Sequence, residues 1–452
     1  MDNYLNRRFI RLLITIILPV TIVLFKPIGL SFNQSIVLGS LLLTIIWWAT
    51  GIVYKDIASI FLILMFIIFG ETPFVEIFFF PLSENFILVI SSFLLSQGIV
   101  NSQAADKFST FVLSKYCKNS IELVIMSFIL STILIFIIPQ PFPRVILLAS
   151  IYLNLLKNTK IEDEERSIII FSIFVSSTVT SLMLLNGDII INYSALKFGE
   201  ITMTYFEWAK KMTLPTLLTT IIIAFVFINI FKKNLKTALY PTDVEKKLTY
   251  EKSEIRAIII TFLVGILWLT ESIHNISAAN VALVGVILMF LTRIIGLKDI
   301  KVVSLSLLIF LTAEFSIGKV LIGSGIASKI SSNLVGLLPA TNSCMYLPYI
   351  VCLIMVLHLM MGSLVTALSV LIPTLITLTS GHLNSEFIVL LTVVSVGFHF
   401  IMPFHHVTIM IGYGNKYYEN KHTVKMGIAL TIITFLCTFF LYIPWWKIIG
   451  LQ

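Results

Sequence analysis

Apolar runs recur along the whole chain with only short polar segments between them, and no polar block large enough to fold in water separates any two. Fifteen such stretches can be marked by the charges, prolines and glycines that bound them. In hydrocarbon every backbone N–H and C=O must be satisfied internally, so stretches of this kind can only be helices or strands of a closed barrel. Their length and continuous apolarity, without period-two alternation, select helices. Composition agrees, because Asp, Glu, Lys and Arg make up only 12% of the 452 residues, against about 25% in soluble proteins. The expected fold is therefore an all-α polytopic membrane protein in contact with lipid, and a soluble enzyme is excluded.

A net charge of +8 does not indicate nucleic acid, since the basic residues sit in short segments between apolar runs and form no aromatic-interleaved stripe. Membrane topology accounts for them. Arg7, Arg8 and Arg11 precede the run Leu12 to Phe25, and no small-residue cleavage site follows, so the expectation is an uncleaved first span. With the N-terminus in the cytoplasm, 23 of the 31 Lys and Arg residues fall on the cytoplasmic side, a positive-inside bias suited to the cell membrane. Cys117, Cys344, Cys352 and Cys437 lie far apart with no Cys-x-x-Cys spacing, which argues against a disulfide framework, a zinc ribbon or a redox dithiol.

A full crossing needs about 20 residues. Two adjacent pairs of runs, 121–138 with 144–156 and 346–361 with 364–379, are too short and too close for separate crossings, and each is expected to form a re-entrant hairpin. About eleven spans and two hairpins (121–157 and 346–380) result. Phe93 and Lys107 have counterparts in Phe315 and Lys329, 222 residues on, as does Leu184 in His406; Pro139 and Ser363 stand 224 apart. A constant offset implies duplication. The expected organisation is an extra N-terminal span at 1–29, a first repeat at 30–231, a cytoplasmic linker at 232–256 and a second repeat at 257–452. Each repeat makes an odd number of crossings, so the two are inverted, an architecture of secondary transporters.

Tyr205-Phe206-Glu207-Trp208 through Leu214-Pro215, and the ending Met402-Pro403…Gly412-Tyr413-Gly414…Lys425-Met426-Gly427, carry a specific likeness. Over nearly its whole length the chain resembles the divalent-anion/sodium symporters, which move dicarboxylates, citrate or sulfate. The resemblance implies a homodimer in which a scaffold stays still while a transport domain of hairpins and broken helices moves as an elevator. It also implies a substrate and sodium site built from two Ser-Asn-Thr hairpin tips and two Thr-Pro-Pro-Asn breaks. Matching puts Pro139-Gln140-Pro141 and Ser363-Leu364-Val365 at the tips, and Leu184-Leu185-Asn186-Gly187 and His406-Val407-Thr408-Ile409 at the breaks, so this sequence departs at all four. The substrate-binding candidates are accordingly Gln140, Arg144, Thr180, Ser181, Asn186, Ser363, His406 and Thr408. Sodium wants several oxygen ligands, which Leu and Val side chains do not supply.

Arg144 carries a charge inside the first hairpin, where insertion costs at least about 2.5–3.5 kcal/mol. Its planar fork suits a carboxylate or sulfate; alternatively it snorkels to the surface or pairs with the acidic cluster Glu162 to Glu165. Asp188, in the turn signal Asn186-Gly187-Asp188, can take a proton, neutralise Arg144, or sit near the outer interface. Glu314 is a proton carrier or the partner of a neighbouring polar group. His405 and His406, with His399, can relay a proton, bind an anion, or satisfy carbonyls freed by Pro403. Asp188, Glu314, His405 and His406 are thus the coupling candidates, with Na+ or H+ as the coupling ion, and no cofactor or metal is expected. The serine- and threonine-rich run 176–181 suits close helix packing.

The expected function is secondary active transport of small anions. Alternatives are a polytopic glycan polymerase or ligase, which usually needs a large catalytic loop outside the cytoplasm, and an anion channel. The outward loops here are short, and inverted repeats with paired hairpins suit alternating access better than a selectivity ring.

Overall fold

The computed structural model describes residues 15–157, 159, 161–238, 249–335, 338–361, 364–379 and 381–451. The architecture is all-helical, with no strand among the described residues and one isolated antiparallel bridge between Asn119 and Ala238. Among the described residues four helices are long and apolar enough to cross a membrane, Glu84–Ser102, Tyr205–Phe231, Leu305–Gly323 and Asn420–Ile448, and shorter apolar helices accompany them. Arg7, Arg8, Arg11, Ser363 and the middle of the linker, 239–248, lie outside the described residues.

Local chemistry explains where these helices start and stop. Thr204 caps Tyr205–Phe231 in a reciprocal capping box with Glu207, which is why the Tyr205-to-Trp208 signature begins a helix. Ser31 and Gln34 do the same for Phe32–Thr50, and Gly51, at φ 65, ends that helix in the left-handed conformation. Within 121–157, helix Ser120–Leu134 ends before Pro141 opens helix Pro141–Leu156 at its first turn, where a missing N–H is harmless. Helices Tyr346–Met361 and Leu364–Leu378 flank the second expected tip. Helix starts at Ala104 and Ile326, and at Asp163 and Ser385, again stand 222 residues apart.

The chain packs as two compact units, each drawing on both sequence halves. In the unit formed by 1–86, 194–202 and 304–396, helix Leu305–Gly323 packs against Lys55–Phe69 and Leu364–Leu378. A Cβ on Gly318 would stand 3.2 Å from the Ser369 carbonyl oxygen, so the glycine permits that close helix approach. Phe315 stacks on Phe80 at 4.7 Å and meets Phe198 at 5.4 Å.

In the unit formed by 87–193, 203–303 and 397–452, hydroxyls zip helix Ser120–Leu134 to helix Asp163–Thr180. Ser127 bonds Ser172 at 2.9 Å, and Ser131 bonds Ser176 at 2.8 Å and Ser177 at 3.1 Å. Small polar residues bring the backbones together, and each hydroxyl finds a partner without water. Tyr152 Oη donates to Leu123 O at 2.9 Å, joining helix Pro141–Leu156 to helix Ser120–Leu134. Cys117 and Cys437 are buried thiols, whereas Cys344 and Cys352 are exposed.

Candidate functional site

The first break is a knot of backbone. Helix Asp163–Thr180 stops, a 3-10 turn spans Leu185–Asp188, and helix Ile189–Phe198 resumes. A Cβ on Gly187 would lie 2.2 Å from the Ser181 carbonyl oxygen, so only glycine fits that fold-back. Asn192 holds it from the next turn of helix: its Nδ2 donates to Ser181 O at 2.9 Å and to Leu184 O at 3.0 Å. Those carbonyls would otherwise be orphans in an apolar interior. Trp208, from the Tyr205-to-Trp208 signature, donates its indole N–H to Leu182 O at 3.1 Å.

Arg144 joins this break to the turn before helix Pro141–Leu156. Fully buried, it donates from Nη1 to Ile138 O and from Nη2 to Gly187 O, both at 2.9 Å. It therefore neither snorkels nor pairs with Glu162 to Glu165; burial between two turns rich in free carbonyls gives the guanidinium shorter-range partners. Asp188, buried at 4% exposure, exerts its charge on Arg144 and accepts from Ile191 N at 3.2 Å. Arg144 Nε and Gln140 Nε2 are enclosed donors with no acceptor among the described residues.

The second break brings its own polar groups. Pro403–His405 forms a 3-10 turn, and His406 caps the helix Val407–Gly414, its Nδ1 accepting from Thr408 N at 3.3 Å. His405 Nδ1 accepts from Ile401 N at 3.1 Å and Met402 N at 3.2 Å. Both rings thus serve backbone N–H donors through Nδ1. The extended backbone before the turn presents its amides to the imidazoles. A nitrogen that accepts carries no proton, which puts the hydrogen of a neutral ring on Nε2.

These segments meet within one unit. Val407–Gly414 packs against both Asp163–Thr180 and Pro141–Leu156, and a Cβ on Gly397 would come within 2.6 Å of the Leu182 side chain. Gln140, Arg144, Thr180, Ser181, Asn186, Asp188, His405, His406 and Thr408 all belong to it. Thr180 and Ser181 spend their hydroxyl protons on Ser176 O and Thr178 O, leaving lone pairs to offer. Asn186 instead borders a small apolar cavity lined in part by Phe136, Tyr205 and Trp268.

Glu314 belongs to the other unit. Fully buried, it accepts from Thr366 Oγ1 at 3.2 Å, on the helix after the second expected tip, and feels the charge of Lys55. Among the described residues no group of three or more His, Cys, Asp or Glu could hold a metal ion.

Sequence reasoning missed Asn192, whose signal was an amide inside the run Ile189 to Tyr193, and Thr366, which no local pattern distinguishes from other threonines. The geometry offers enclosed donors, unspent hydroxyl lone pairs and two broken helices.

Among curated proteins, a Bacillus subtilis (strain 168) protein named "Putative malate transporter YflS" is 24% identical over 47% of this chain and 48% of its own length. A Cupriavidus necator protein named "Membrane protein" is 23% identical over 40% of this chain and 37% of its own. The chain spans about half the length of these relatives, or less, in what it matches. Residues 6–452, nearly the entire chain, match the family described as "Sodium:sulfate symporter transmembrane region". The chain therefore belongs to the sodium:sulfate symporter family of membrane transporters.

Proposed function

We propose that this transporter moves small anions of the dicarboxylate, citrate or sulfate class by an elevator-type alternating-access mechanism, as a homodimer with a cytoplasmic N-terminus. The transporter class rests on the family match over residues 6–452; the malate transporter name of one relative supports the anion class. The observation that carries the site is Arg144, a buried cation tying the first hairpin to the first break, with its Nε and the neighbouring Gln140 amide still without acceptors. An oxyanion would satisfy both donors and offset the positive charge, whereas an apolar or cationic solute would do neither.

In this reading Arg144, Gln140, the lone pairs of Thr180 and Ser181, Thr408 and Asn186 surround the substrate, with His406 at the helix start beside it. Ser363, the candidate expected at the second hairpin tip, lies outside the described residues. Coupling is to protons, or transport is anion exchange, in preference to sodium symport: most of the family's oxygen-bearing motif side chains are replaced, while Asp188, Glu314, His405 and His406 supply titratable groups. Protonation neutralises a carboxylate or charges an imidazole without demanding six ligands.

The test is uptake of radiolabelled sulfate, succinate and citrate into proteoliposomes, with sodium and pH gradients imposed separately. Uptake of at least one anion, driven by a pH gradient or by counter-anion with choline in place of sodium, is the expected result. Loss of all uptake in choline, with no response to pH, would reject the coupling reading; no uptake under any gradient would reject the substrate class.

A further inference from the structure

A second polar feature lies in the same unit as Arg144, at the far ends of three elements that carry candidate site residues. A groove of about 980 Å³ is bordered by Leu153, Ile170 and the segment Tyr413 to Asn420. Leu153 follows Arg144 by nine residues on one helix and Ile170 precedes Thr180 by ten on another, about 14 and 15 Å at 1.5 Å per residue. Tyr413 follows Thr408 by five on the third, about 8 Å. The groove therefore opens at the mouths of the helices whose other ends build the candidate site.

Its carboxylates are already spent. Asp163 pairs with Arg166 at 3.3 Å, Glu164 with Lys421 at 2.8 Å and with His422 at 2.9 Å, and Glu419 with Lys421 at 3.1 Å. Its donors are not. Lys416 has no carboxylate at ion-pair distance among the described residues, and the Nε of Arg166 is enclosed with no acceptor. Ser167 and the hydroxyls of Tyr413 and Tyr417 border the same space. The volume is at the upper end of ordinary ligand sites, about 300–1,000 Å³, and takes a small anion with part of its hydration shell.

We propose that this groove is a docking subsite for the transported anion, on the membrane side that the Lys and Arg bias assigns to the cytoplasm, with Lys416 and Arg166 as its cationic donors. The proposal rests on the anion-transporter reading above and adds to it a recognition step outside the Arg144 site. Hydrated anions are held there by charge at modest affinity before they shed water.

Proteoliposomes sorted for orientation provide the test, using succinate and sulfate as probes. Lys416→Asn removes the charge while retaining a residue that tolerates the left-handed backbone at φ 58. It should raise the KM for anion presented on the cytoplasmic side about two- to fivefold, as expected for an exposed charge contact. The KM from the opposite side should stay unchanged, and Lys416→Arg should restore wild-type values. In a background with Cys344 and Cys352 replaced by Ser, Ser167→Cys should react with a membrane-impermeant thiosulfonate from the cytoplasmic side only, more slowly when either anion is present. Normal wild-type transport with an unchanged cytoplasmic-side KM in Lys416→Asn, or labelling that neither anion slows, would overturn the proposal and leave the transporter reading intact. Wild-type protein that transports neither probe from either side would remove that reading, and this proposal with it.

Discussion

Replacing Arg144 by Met separates its structural and functional roles. The change retains an unbranched apolar stem and deletes the guanidinium, so the carbonyls of Ile138 and Gly187 each lose a 2.9 Å donor inside a sealed interior. An orphaned buried group costs about 1–3 kcal/mol in soluble proteins. Hydrogen bonds within bilayers measure less, about 0.6–1.7 kcal/mol each. Two bonds therefore put the loss at about 1–3 kcal/mol, and Asp188 also loses its cation. Thermal unfolding of detergent-purified protein, with and without sulfate or succinate, reads both roles. The variant should melt below wild type. A bound anion present at a hundred times its Kd stabilises wild type by about 2.7 kcal/mol, and that shift should vanish in Arg144→Met. An unchanged melting temperature would refute the bridging role, and an undiminished anion-dependent shift would refute anion contact.

Gly187→Ala should sharply lower the yield of folded protein in size-exclusion chromatography, because its Cβ would meet the Ser181 carbonyl at 2.2 Å and backbone cannot yield as a side chain does. Glu314→Gln should preserve the contact with Thr366 but abolish the response of uptake to an imposed pH gradient; a full response would remove Glu314 from the coupling candidates. Lys107 bonds Glu254 at 2.6 Å, and that hydrogen bond raises its ammonium above the ordinary lysine value of 10.5. A raised folded-state value means a contribution fully present below the unfolded lysine range and lost only as pH climbs through the raised value. The stability difference between wild type and Lys107→Met should therefore be flat from about pH 6 to 9 and shrink only as pH climbs past the ordinary lysine value of 10.5, checked by thermal melts across that range.

The class of the protein was legible residue by residue, because hydrocarbon leaves so few backbone solutions that apolar runs and their interruptions nearly dictate where helices lie. Asn186-Gly187-Asp188 announced the first break, Pro403 with its histidines the second, and Pro141 the start of a new helix. Each is a local statement about dihedrals or missing donors. The full-length family resemblance was likewise carried by short signatures such as Tyr205 to Trp208, whose role as a capped helix start ending in a buried indole the fold makes plain.

Which polar groups satisfy one another could not be read in the same way. Arg144 looked suited to water, to the acidic cluster after residue 161, or to a ligand, and the fold showed two carbonyls from different segments among its partners. Asn192 passed as one amide in an apolar helix until the chain folded back and set two orphaned carbonyls within its reach. Glu314 and Thr366 are 52 residues apart in sequence and 3.2 Å apart in space. A buried polar group in a bilayer must take the nearest partner at any sequence distance. The sequence by itself determined that charges and breaks interrupt apolar runs; only the tertiary structure decided what each one faces, because that depends on which helices pack together.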